Sequence, residues 1–526
     1  MNQRRASRSP EFLFRQTARL DCGSIPRKKG VFRLSTVNLK SPEVVIREIR
    51  LGSITGFTGN AGELVKESHS GTLAETPRSF SQCTGCSSGQ AFCQLCMIPD
   101  AAVINHAPIG CMGDAEGFNF VYREGQVERG LPRATGRYFS SNIGEGDTIF
   151  GGAETLRSAI RTVYERVKPH AIFVTTSCAS GITGDDVESV TNEMEKEIGI
   201  PVVACFCEGF KSRIWTTGFD SAYHAIVRKI VKPPRKKTNR VNIINFWGSH
   251  IFDGLLHRLG YEPQYVVAFS TVEELSHISE AVASIQVCQT LGTYLGAALE
   301  QVYGVPEIKT SPGYGVEGTD EWLRELGRVL HREDEVEKIV AEGHARVLPR
   351  LQKYRDEFKG KTAFVTAGAA HGHALIAVLR ELGFTVRGAA IFHHDPVYDN
   401  GCERADMLAR DVKDYGDIPN FNVCNKQAFE LVNLLRRVKP DIFIARHGGM
   451  TVWGAKLGIP TLLIGDEQLS FGYDGVLRYA ERIEEALDNT EFVTNLAKHS
   501  TMPYTKWWLD QDPNTFLGGD LFVQSY

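Results

Sequence analysis

The chain has 526 residues, 42% of them hydrophobic and 23% charged, with a formal net charge of −4 at neutral pH. That length exceeds one ordinary hydrophobic core and predicts about three domains. No apolar run reaches membrane-spanning length, and the charge balance gives no reason to expect nucleic acid as the main partner. Residues 1–40 hold ten Lys/Arg against only Glu11 and Asp21. Such composition can mark a transit peptide; without an amphipathic or cleavage pattern, residues 1–50 are read as a basic extension.

A Gly- and Cys-rich stretch follows, roughly 51–150. Strands and helices then alternate. "HAIFVTTSC" is a buried strand, and the helix after it is opened by Asp185 and Asp186. "IPVVACFCEGF" is the next strand, and "KPPRKKTNR" (232–240) a linker. A second block runs from "VNIINFWG" to "LGTYLGAALEQVYG", and a charged helical connector covers about 319–358. A third block starts with "KTAFVTAGA" and ends near "PTLLIG". The pattern predicts an α/β protein of three Rossmann-like, doubly wound parallel-sheet domains around a central crevice, bounded at 51–235, 236–360 and 361–526. No GxxxxGK[ST] loop is present, and "AGAAHGHA" is only loosely like a dinucleotide loop. Any ATP is therefore expected on another chain.

Twelve cysteines without a secretory signal point to metal or redox chemistry rather than a disulfide framework. Cys83, Cys86, Cys93 and Cys96 form two CxxC pairs that could hold zinc or a [4Fe–4S] cluster, although the gap between them is shorter than in zinc ribbons. Cys178 and Cys288 each end a predicted strand. Thiolates at strand ends beside helix N-termini suit iron–sulfur ligation. Cys93, Cys96, Cys205 and Cys207 are expected to be packing or supporting residues.

"HAPIGC" (106–111), "DTIFGGAETL" (147–156), "SCASGITGDDVES" (177–189), "CEGF" (207–210) and "CQTLGTYLGAALEQVYGVP" (288–306) resemble motifs of the nitrogenase component 1 alpha chain. They occur in the same order and with compatible spacing from about residue 70 to 485. Within that superfamily the chain is similar to the catalytic alpha-type subunit of methylthio-alkane reductase, a nitrogenase-like enzyme that cleaves C–S bonds. The resemblance implies P-cluster ligands at Cys86, Cys111 and Cys178, with Cys83 as an alternative to Cys86, in an [8Fe-7S] cluster shared with a beta-type chain of an α2β2 heterotetramer. It implies that Cys288 holds one end of an active-site cluster. It also implies an ATP-hydrolysing homodimeric iron protein carrying [4Fe-4S], small volatile organic sulfur substrates, and a cytoplasmic setting without membrane or nucleic acid.

The departures are informative. The position of the nitrogenase histidine ligand reads Phe471, in "SFGYDG". Trp215, Phe219 and Asn119 replace three polar residues of the cavity. An apolar wall favours an uncharged, thioether-sized substrate, and the lost histidine argues for an [8Fe-9S-C] cluster without molybdenum or homocitrate. His371 matches a family arginine, and His394 a family histidine near the pocket. With Trp215 and Phe219 they are the expected catalytic positions. His373, His393 and His250 are further candidates for a replacement ligand. The rival readings are a cofactor-assembly scaffold of the same superfamily and an iron-type nitrogenase alpha chain.

Overall fold

The computed structural model describes residues 37–76, 86–113, 115–244, 249–310, 313–396, 406–424, 428–446, 448–464 and 471–514. Thirteen strands among these residues form three sheets. The first contains β2 (Ala101–His106), β3 (Tyr138–Ser140), β4 (Ala171–Thr176) and β5 (Val202–Cys205), in the order β3-β2-β4-β5 with every pairing parallel. The second contains β6 (Arg240–Ile244), β7 (Glu262–Val266) and β8 (Ala283–Gln286), in the parallel order β7-β6-β8. The third has β1 (Gly56–Gly59), β9 (Thr362–Ala367), β10 (Thr385–Ile391), β11 (Phe421–Cys424), β12 (Ile442–Ala445) and β13 (Thr461–Leu463), in the order β1-β11-β10-β9-β12-β13. The fold is α/β, with helices following the strands as the alternating pattern predicts.

The strands are buried along their whole length where helices cover both faces. Every residue of β2, β4 and β5 is buried. Continuous Ala/Val/Ile/Phe runs are what a doubly covered parallel sheet requires. The 319–358 connector is two helices, Gly315–Leu330 and Glu333–Phe358, and both pack on the helix Gly472–Asp488. Among the described residues, no helix is long and apolar enough to cross a membrane.

The first block is expected to begin at residue 51; β1, within it by sequence, pairs antiparallel with β11 at the edge of the third sheet. The helix Ala61–Ser70 packs on Met407–Tyr415 in the same region. A four-residue strand with two glycines carries too little alternation to be read from sequence. It is specified by an edge that it covers and by Gly56, where a Cβ would lie 2.0 Å from the Thr76 carbonyl oxygen.

A buried ion triad joins these blocks. Asp220 accepts from Arg47 Nε at 2.9 Å and Nη2 at 2.7 Å, and from Arg50 Nη2 at 2.7 Å. Arg50 Nη2 also donates to Thr293 Oγ1 at 2.9 Å. Asp220 lies in the helix Thr217–Lys229 and Thr293 in the helix Gln289–Tyr303, so a short N-terminal helix (Arg47–Arg50) clamps both. Asp220→Ala leaves two guanidinium groups buried without their counter-ion. We predict a loss of about 3–5 kcal/mol of stability, read as a lower denaturant midpoint at unchanged slope.

Candidate functional site

The carboxyl ends of β2 and β4 and the start of the helix Ser87–Leu95 bring three cysteines to one place. Cys111 lies in the 3-10 turn Ile109–Met112 after β2. Cys178 is the first residue of the helix Cys178–Thr183 after β4. Cys86 caps the helix Ser87–Leu95, its sulfur accepting from Gly89 N at 3.4 Å. All three are exposed, whereas Cys96, Cys205, Cys207 and Cys288 are buried. Gly209, after β5, lies between two of them. A Cβ there would be 3.4 Å from the sulfurs of both Cys86 and Cys178 and 3.0 Å from Cys86 Cβ. Burial pushes the Cys86 and Cys111 thiols up, and the neighbouring sulfurs push in the same direction. Three thiols crowded this way ionise together only when cations offset their charge.

Three of the motifs are one hydrogen-bonded unit. His106 Nδ1 is 2.9 Å from Ser141 Oγ, and its Nε2 is 3.0 Å from Asp185 Oδ2. Asp185 Oδ1 accepts from Gly152 N at 2.7 Å, and Ser177 Oγ donates to the His106 carbonyl at 2.9 Å. "HAPIGC", "DTIFGGAETL" and "SCASGITGDD" are thereby held together, fixing the Cys111 turn against the Cys178 helix. Around the thiols stand Ile109, Ile182 and Phe210, exposed by 63%, 79% and 57%, and Ile149 and Phe150, exposed by 73% and 87%. The helix carrying Ile149 and Phe150 packs on the Cys178 helix. Large apolar side chains grouped around an open thiol cluster mark an interaction surface.

Cys288 is set differently. It caps the helix Gln289–Tyr303 from inside the protein and is only 3% exposed. Phe219 and Tyr223 lie one turn apart on the neighbouring helix Thr217–Lys229 and Trp215 in the turn before it, with successive ring centroids 6.1 and 6.4 Å apart. Tyr223 is near enough to Cys288 for the thiolate charge to add to the burial that raises its hydroxyl pKa. The Cys288 helix meets a second one where Ala370 N donates to Thr290 Oγ1 at 3.3 Å. His371 sits in that first turn, with Nδ1 2.8 Å from Tyr314 Oη and the two rings stacked. Tyr314 pairs through its backbone with Phe471. Phe471 packs edge-on against Phe252 and Trp322, with centroids 4.9 and 5.1 Å away. The position expected to have lost a metal ligand is thus filled by packing.

His394 is placed elsewhere. Its Nε2 is 3.0 Å from Ser68 Oγ, and its backbone pairs with Ile54. Burial first, then the neighbouring His373, holds its imidazole down to about 3, so the ring is uncharged at neutral pH. His373 is held at about 4, again chiefly by burial. His393 Nδ1 lies 3.1 Å from Asp395. His250 is at the surface, 3.4 Å from Asp253 and 3.2 Å from the Arg129 carbonyl. Cys96 and Cys205 are core residues, and Cys207 Sγ faces the Thr176 and Cys205 carbonyls at 3.4 Å. Cys83 and the side chain of Asn119 lie outside the described residues.

Among the described residues, no three His, Cys, Asp or Glu converge as a single ion requires. Ligands of a multi-iron cluster bind different iron atoms and need not converge. The soft donor set and the space that Gly209 preserves fit an iron–sulfur group at Cys86, Cys111 and Cys178. A buried thiol at a helix N-terminus fits one at Cys288. Sequence reasoning missed Gly209, Tyr223 and Tyr314. The glycine of "CEGF" and the four-residue step from Phe219 to Tyr223 were the available signals. We predict that iodoacetamide labels Cys86 and Cys111 of the metal-free chain at a rate that keeps rising above pH 9, because only the thiolate reacts and both thiols are raised. Cys96, Cys205 and Cys288 become labelled only on denaturation, as peptide mass spectrometry would show.

Residues 86–488 match the family described as nitrogenase component 1 type oxidoreductase. The chain is similar to the nitrogenase molybdenum-iron protein alpha chain of Methanosarcina barkeri, with 30% identity over 57% of this chain and 58% of that one. That match spans less than two thirds of the relative. The Clostridium pasteurianum alpha chain is 28% identical over 67% of this chain and 68% of its own length. The nitrogenase iron-molybdenum cofactor biosynthesis protein NifE of a Nostoc species is 26% identical over 77% and 83%. The solved structure of nitrogenase Cp1 at pH 5 superposes with a TM-score of 0.63 at 24% identity, covering 82% of this chain and 94% of that one. With more than half of its length matched, the chain belongs to the nitrogenase component 1 type oxidoreductase family.

Proposed function

We propose that the chain is the alpha-type subunit of a nitrogenase-like reductase that cleaves the C–S bond of methylthio-alkanes, in the cytoplasm, for sulfur acquisition. The observation that carries this reading is the pairing of an aromatic wall (Trp215, Phe219, Tyr223) with a buried Cys288 and an aromatic residue at position 471. Aromatic surroundings of this kind suit an uncharged thioether.

Cys86, Cys111 and Cys178 would hold half of an [8Fe-7S] P-cluster, and the exposed apolar residues around them would dock a beta-type chain supplying the other thiolates. Cys288 would hold an [8Fe-9S-C] cluster without molybdenum or homocitrate. When bound, these groups supply electron storage and the reducing site, fed by an ATP-hydrolysing homodimeric iron protein with its own [4Fe-4S]. The chain's own residues orient and exclude. Trp215 and Phe219 pack the thioether and keep water away, while the Tyr314 hydroxyl holds the His371 ring in place through Nδ1. His371 remains the candidate proton donor; His394 is turned to Ser68 instead.

A second reading, a cofactor-assembly scaffold, is favoured by one observation: cofactor biosynthesis proteins match as much of the chain as alpha chains do. Turnover separates the two. In 2-(methylthio)ethanol, two electrons and two protons give ethylene, methanethiol and water. The oxygen-free complex, given its iron protein, ATP and reductant, is expected to release ethylene and methanethiol in equal amounts by gas chromatography, and neither without ATP. A complex carrying its full iron but releasing no product would favour the scaffold.

A further inference from the structure

Glu307 is a carboxyl group sealed inside the protein. It lies beside β8, bridged to Ser284, and is 4% exposed. Its Oε1 has no hydrogen-bond partner, and neither does Gln286 Oε1. Both side chains lie on the Cys288 helix along the stripe that runs from Cys288 through Gly292 to Gly296. A Cβ on Gly292 would lie 2.8 Å from Gln286 Oε1. A Cβ on Gly296 would lie 2.1 Å from Glu307 Oε1 and 3.0 Å from Gln286 Nε2. Residues four apart share a helix face, so Gln286 and Glu307 lie along one face of the helix that Cys288 caps. Gln286 and Cys288 also share a side of the extended backbone that ends β8.

The outer end of that face reaches the surface. Lys309 Nζ pairs with Glu300 Oε2 at 2.5 Å, each about a third exposed. Burial pushes the Glu307 carboxyl up to about 8 against the opposing fields of Lys309 and Arg50, while Glu300 adds to the rise. It therefore carries a proton at neutral pH and can release it near the working range. An uncharged side chain would fill the space without the desolvation cost, so packing alone does not explain a carboxyl here.

We propose that Glu307 and Gln286 form a proton relay along the Cys288 helix, linking the Glu300–Lys309 pair at the surface to the buried site at Cys288. This inference rests on the reductase reading, in which each C–S cleavage consumes two protons. It makes Glu307 a relay residue that acts through others without touching substrate.

The test uses the intact complex, with Glu307→Gln and Gln286→Met as variants. Both are expected to keep full iron content and cluster spectra. Turnover of 2-(methylthio)ethanol falls about a hundredfold, the low end of what one proton-transfer group contributes. The wild-type rate is expected to fall above about pH 8, that fall to be absent from Glu307→Gln, and the variant's solvent deuterium isotope effect to be larger. Wild-type rates and an unchanged alkaline limb in Glu307→Gln would overturn the relay. Infrared difference spectroscopy gives a readout that needs no turnover. A carbonyl stretch of an un-ionised carboxylic acid is expected in wild type at pH 7, absent from Glu307→Gln, and shifted when dithionite reduces the complex. A missing band, or one that ignores reduction, would also overturn the relay. Failure of the wild type itself to release product would count against the reductase reading alone.

Discussion

Asp220 is the point on which the interior depends. A carboxylate removed from water needs partners on every side, and two arginines supply them, drawn from a helix 170 to 173 residues away in sequence. Arg50 extends the network to the Cys288 helix through Thr293, and the field of Arg47 reaches Asp395 at the end of the third sheet. The helix bearing Phe219 and Tyr223, the helix capped by Cys288 and the histidine-rich strand end thus share one electrostatic anchor. Replacing such a triad by apolar residues can be neutral in stability. Its value here is positional, because it sets the aromatic wall against the buried thiol.

The two sulfur sites differ in exposure, and that difference organises their roles. Three thiols open to the surface, surrounded by uncovered isoleucine and phenylalanine side chains, leave a site that a second chain can complete. One thiol inside, at a helix N-terminus and near the buried Tyr223 ring, sits where electrostatic effects are strong. The His106–Asp185 unit keeps the first site rigid without contributing a ligand, since a buried imidazole held between a serine and a carboxylate has little freedom to turn.

Much of this was legible in the sequence. The parallel pairing within the three sheets, the antiparallel β1 apart, follows from the strand–helix alternation, and Cys111, Cys178 and Cys288 lie on the motifs quoted for them. Phe471 was visible as a departure, although its packing against Phe252 and Trp322 was not. What escaped depends on tertiary contact: β1 joins an edge more than three hundred and fifty residues away, and Gly209 matters only because two sulfurs close on it. The histidines show the same limit. Residues 371, 373, 393 and 394 look alike in sequence, yet burial and neighbours give His394 and His373 low pKa values while His371 is aligned by Tyr314.

The central claim is that this chain holds two separate iron–sulfur groups, one shared at its surface and one buried on Cys288. The most direct measurement is iron content and low-temperature electron paramagnetic resonance of the oxygen-free complex carrying Cys288→Ala. Loss of the buried group's iron and signal, with the surface group's signal intact, is the predicted result. Retention of all the iron, or loss of both signals from a complex that still assembles, would contradict it.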